Sequence, residues 1–69
     1  MPAAGITVIV EIVADDKGRW LVRVFKNTYG EYADKRAARG DALQAAKDAQ
    51  LLGYENVEVW DRSTRKRLL

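Results

Sequence analysis

Arg62, Arg65, Lys66 and Arg67 crowd the last eight positions of the chain, with no acid among them. Guanidinium and ammonium groups at that density could grip phosphate oxygens, which is the electrostatic footprint of nucleic-acid binding. The alternative is a solvated end whose charge aids solubility. Only Trp60 stands near them as an aromatic, and no element reads as a base-contacting helix. Through residue 61 the chain holds eight cations against ten anions, so its high isoelectric point comes from a basic segment at residues 62–69 on a slightly acidic body.

Other chemistry is scarce. The 69 residues contain no His and no Cys. The chain therefore has no imidazole base near neutral pH, no thiolate nucleophile, no disulfide and only carboxylates as strong metal ligands. Ser63 is the single serine and has no candidate base near it in sequence. Paired Asp/Glu residues could do acid–base work, but acids are common on any soluble surface. Asp15-Asp16 lacks the alternating ligands and terminal Glu of a calcium loop and suits a turn instead. Tyr29, Tyr32 and Tyr54 suit rim packing, and the scattered glycines form no phosphate-cradling loop. The expectation is a non-enzymatic chain without catalytic, metal or cofactor residues.

The elements that must position these groups follow from periodicity. Ile6–Ala14 is β-branched almost throughout and places Ile6, Val8, Val10, Ile12 and Ala14 on one face at period two. At nine residues, interrupted by Thr7 and Glu11, it is far short of the ~20 needed to span a bilayer. Asp15–Gly18 is a turn, and Arg19–Lys26 a second strand. If the turn is type I with a G1 bulge, Asp15 opposes Arg19, Val13 opposes Leu21, Glu11 opposes Arg23 and Ile9 opposes Phe25. Two opposite-charge pairs then fall into register. Trp20, Val22 and Val24 join the β-branched face as the core.

Asn27–Gly30 reads as a turn, and Glu31–Arg36 as either a short third strand or a loop. Asp41 with Gln44 three residues on forms a capping-box pattern, so a helix is expected from Asp41 to about Leu52, stopped by Gly53. Its inner stripe would be Ala42, Ala45, Ala46, Ala49 and Leu52, with Leu43 beside it. Glu55–Asp61 is the last strand, with Val57 and Val59 on the core face. The expected fold is α+β: a small antiparallel sheet of three or four strands, ordered β-β-(β)-α-β, with one helix on one face. Residues 1–69 form a single domain, its core at about 6–61 and a basic tail at 62–69. The start, Met1–Gly5, lacks the basic region of a signal peptide, and the absence of cysteine fits a cytoplasmic protein.

Trp20-x-Val22, Ala42-x-x-Ala45-Ala46 and Val57-x-Val59-x-Asp61 together resemble small bacterial ββαβ domains of unknown function. More distantly, the chain resembles the HicB-type antitoxins, whose partial double-stranded-RNA-binding-domain fold has the same order of strands and alanine-rich helix. The resemblance spans about residues 19–61 and implies the ββαβ layout. It assigns no site residue, and it does not extend to operator binding, which in the HicB kind belongs to a separate DNA-binding domain.

One helix can cover only one sheet face. The other would present Ile9, Val13, Leu21, Phe25 and Trp60, around Glu11 and Arg23. An apolar cluster of that size marks an interaction surface. A domain this small also needs outside support, and without disulfides or metal the remaining route is oligomerisation. The leading expectation is a protein-interaction module that forms a homodimer through this face. A nucleic-acid-binding role for Arg62, Arg65, Lys66 and Arg67 is the alternative. Neither involves a membrane.

Overall fold

The computed structural model describes residues 5–69; residues 1–4, which the reading of the chain's start took in, lie outside the described residues. The elements are β1 (Thr7–Ala14), β2 (Trp20–Val24), β3 (Asn27–Tyr32), α1 (Lys35–Leu51), β4 (Asn56–Asp61) and β5 (Lys66–Arg67). One helix packs on one face of a single sheet, as α+β requires. The sheet has five strands in the order β3-β2-β1-β4-β5.

The sheet is mixed, where an antiparallel one was expected. β1 and β4 are parallel, and every other neighbouring pair is antiparallel. The reason is directional. After the β1–β2–β3 meander, α1 carries the chain back, so β4 must start from the same end as β1. It settles beside β1, whose Val8, Val10 and Ile12 are buried, and away from the polar edge strand β3. Both edges are unattractive for further pairing: β3 is polar, and β5 is two basic residues long.

The β1–β2 hairpin follows the expected register from Val10↔Val24 to Ala14↔Trp20. Its loop is closed by Asp15 N–H to Arg19 O at 2.8 Å, and Gly18 adopts φ +80°, as a type I turn with a G1 bulge needs. The expected Ile9–Phe25 pair does not form. β2 ends at Val24, and Phe25 (φ 52°) and Lys26 (φ 65°) make a two-residue turn into β3. Both turn residues are left-handed, the type I′ pattern that Asn-Gly usually fills. Asn27–Gly30, expected as a turn, is therefore strand, and Glu31–Arg36 is divided between the end of β3 and the start of α1.

The N-cap of α1 lies seven residues before Asp41. Asp34 is the N-cap: its backbone is extended and its carboxylate accepts from Ala37 N–H at 2.8 Å. Asp41 lies inside the helix. The buried stripe accordingly starts earlier, at Ala38, Ala42 and Ala46, with Leu43, Ala45 and Ala49 half-buried. Leu52, expected in the stripe, is the C-cap and is 80% exposed. Gly53 ends the helix as expected. Its left-handed backbone (φ 102°) allows Gly53 N–H to reach Gln50 O and Tyr54 N–H to reach Ala49 O, the paired bonds of a Schellman motif.

The core is Val8, Val10, Ile12, Val22, Val57 and Val59 under the three alanines, flanked by Trp20, Val24 and Leu68. Ile6, expected among them, precedes β1 and is exposed. Residues 62–69 are not a tail. Arg62–Arg65 turn the chain, β5 pairs with β4, and Leu68 packs against the core. Among the described residues no helix is long and apolar enough to cross a membrane.

Candidate functional site

The sheet face away from α1 is uncovered by any described element. β3 extends the sheet edge and α1 lies on the opposite side, so neither folds over this face. Ile9, Val13, Leu21 and Trp60 all lie on it, each half-buried by its neighbours. Val13 stands directly across from Leu21, and Ile9 from Glu58. Phe25 is not in the row itself. It sits on the β2–β3 turn at the end of the face, 54% exposed, and lines a groove of about 280 Å³ with Thr7, Ile9, Glu11, Lys26 and Arg62.

Charge is interleaved with these apolar groups. Glu11 has Arg23 on one neighbouring strand and Trp60 on the other. Its carboxylate, however, accepts from Arg62 Nε at 2.6 Å, while Arg23 Nη2 donates to Lys26 O at 2.7 Å. The Arg62 guanidinium lies over the Trp60 ring at 5.0 Å, a cation–π contact. Trp60 Nε1 in turn donates to Glu58 Oε1 at 2.8 Å. The indole is thereby fixed at its ring face and its N–H, which keeps a large apolar surface in one orientation.

The four basic residues near the chain end do not act as one cluster. Arg62 and Arg67 belong to the open face, Arg67 standing opposite Trp60. Lys66 stands opposite Asp61 and so projects to the helix side. Arg65 holds a left-handed turn position (φ 57°).

A second cluster, invisible in the sequence, forms where β4 ends beside the start of α1. Asp61 is only 5% exposed. Lys35 Nζ lies 2.6 Å from its Oδ2; Ser63 Oγ donates to Oδ1 at 2.6 Å, and the Ser63 and Thr64 backbone N–H groups reach Oδ1 at 3.0 and 3.3 Å. Burial pushes the Asp61 carboxyl up, but the Lys35, Ser63 and Thr64 donors override it and hold the group well below the usual carboxylate range. Lys35 also donates to Ser63 Oγ at 3.1 Å and lies over Trp20 at 5.2 Å. Lys, Ser and Asp in contact suggest a nucleophile, and the Ser63 hydroxyl does donate to the carboxylate as a nucleophile would to its base. That carboxylate, however, is ion-paired with Lys35 and held in its charged form, which makes it a weak proton acceptor. The cluster latches the β4–β5 turn onto the helix start. Asp61-x-Ser63-Thr64 is the local trace of that turn, since Asp side chains bond backbone N–H groups two residues on.

Among the described residues no three potential ligands gather in a group able to hold a metal ion. Comparison of the chain with family models, with curated proteins and with solved structures returned no match.

Proposed function

We propose that this chain is a non-catalytic interaction module that docks a second copy of itself through the uncovered sheet face. The observation that carries the reading is Phe25. A bulky aromatic residue in the left-handed region is conformationally unfavourable, and this one is also half exposed to water. Both costs fall at one end of an otherwise uncovered apolar face, where a strained residue suggests use. A second copy suits the face because its charges alternate in sign: Glu11 and Glu58 lie among Arg23, Arg62 and Arg67. A two-fold axis sets such a surface against itself, so acids of one protomer can meet bases of the other. The shortage of core in so small a domain gives the association a stabilising role.

The reading includes a cytoplasmic setting, supported by a composition without cysteine. It gives Ser63 and Asp61 a structural role, supported by the Lys35 ion pair that holds the Asp61 carboxylate charged and weakly basic. Size-exclusion chromatography of Phe25→Asp beside the unmodified protein tests it. The variant should elute later as a monomer; co-elution of the two as dimers would remove Phe25 from the interface, and co-elution as monomers would remove the interface.

A further inference from the structure

Lys66 of β5 meets the first turns of α1 across a groove of about 400 Å³, lined also by Lys35, Arg36 and Arg39, with Thr64, the half-buried Leu68 and one acid, Asp61, in its walls. Two stretches of sequence separated by most of β4 and the helix thus place four cations around one depression. Lys35 is neutralised by Asp61. Arg36, Arg39 and Lys66 are exposed, and among the described residues no carboxylate lies within 4.0 Å of them. Acids are more numerous than bases up to residue 61, so three unpaired cations side by side are a local departure from the charge of the body.

From this we infer that the groove between α1 and β5 binds the phosphate backbone of a nucleic-acid duplex, without reading its bases. Exposed cations each contribute little to a lone anion in water. They gain when the ligand repeats its charge and sheds condensed counterions on contact. No buried donor set encloses a small anion here, and the side chains are spread over two elements, which matches a polymer. The depression is concave and has no protruding apolar anchor, so it suits a strand of phosphates better than a flat lipid surface. Among the described residues no aromatic side chain lines the groove, and the Trp20 ring beyond Lys35 lies under its ammonium, leaving no platform for stacking a base. The site lies on the helix side of the sheet and is independent of the proposed docking face.

The test is fluorescence anisotropy of a labelled DNA duplex of arbitrary sequence with the full chain. Three phosphate contacts predict affinity falling about 40-fold between roughly 50 and 200 mM salt, from a slope of about 0.9 per contact. Arg39→Glu and Lys66→Glu, on separate elements and both exposed, should each weaken binding at least about tenfold at the lower salt. Lys17→Glu makes the same change in net charge on the β1–β2 loop and should leave affinity within about twofold. Equal losses in all three variants would assign the binding to overall charge and overturn the groove. Absence of duplex binding by the unmodified chain would overturn the proposal, as would binding to phosphatidylserine vesicles without binding to the duplex.

Discussion

Lys35 and Asp61, at opposite ends of the α1–β4 unit in sequence, pair at 2.6 Å with the carboxylate almost wholly buried. The pair fastens the first turn of the helix to the last residue of β4, the strand parallel to the central β1. It also fixes the turn that brings β5 back to the sheet. An acid at this position ties three elements of the fold together.

Removing that charge should be costly and should change the acid response. Asp61→Ala leaves Lys35 and two backbone N–H groups without their acceptor, a loss of about 2–4 kcal/mol. Because the folded carboxyl is held below its ordinary range, its contribution is complete above the unfolded value near 4 and disappears as pH falls below it. Denaturant melts between about pH 2 and 7 should show the unmodified protein weakening in acid, and Asp61→Asn showing a flatter dependence. Equal slopes for both would assign the acid response to other carboxylates.

An alkaline counterpart lies at the other sheet edge. The Tyr32 hydroxyl donates to Asp41. This bond, with burial and the Asp41 charge adding to it, pushes the phenol up to about 12. The neutral phenol is the form favoured by folding, so its contribution holds below about pH 10 and is lost as pH rises towards the folded value. A spectrophotometric phenolate titration should contain a step near 12 that Tyr32→Phe removes. Gly30→Ala should disturb the same step, since a Cβ there would stand 2.5 Å from the Tyr32 hydroxyl.

Helix docking can be read from two alanines. Ala42 is fully buried against the sheet, whereas Ala45 is half-buried and lines a shallow groove with Val24 and Tyr54. Ala42→Leu should overpack the core and destabilise by about 1–3 kcal/mol, and Ala45→Leu by under about 1 kcal/mol. The reverse order in denaturant melts would mean that the helix docks through the Ala45–Ala49 stripe.

Gly40 lies within α1, and a Cβ built there meets nothing within 4 Å. Gly40→Ala should therefore stabilise by about 0.5–1 kcal/mol through backbone entropy alone. A destabilised variant would place a helix boundary at this residue.

That same glycine explains much of what the sequence concealed. Asp41 follows Gly40 and has Gln44 three residues on, whereas Asp34 has only Ala37 there, so the capping-box pattern points to the later start. β3 was obscured because Asn27–Tyr32 is polar and the turn before it uses Phe-Lys where Asn-Gly would be the usual signal. β5 resembled a tail because an edge strand of Lys and Arg carries no apolar alternation. The β1–β2 register was legible because Asp15 and Gly18 define a loop of one length, and loop length fixes the pairing. Four of the five expected interface residues share the open face because period two is a local property. The Lys35–Asp61 latch and the α1–β5 groove join residues that only the crossover brings together, so no local pattern announces them.

Sedimentation equilibrium of the unmodified protein tests the central claim most directly. The uncovered face of Ile9, Val13, Leu21 and Trp60, with Phe25 at its end, predicts a dimer of twice the 7.8 kDa chain mass at high micromolar concentration. It also predicts that Phe25→Asp combined with Trp60→Asp shifts the equilibrium to monomer. A mass of one chain across that range in the unmodified protein would contradict the account.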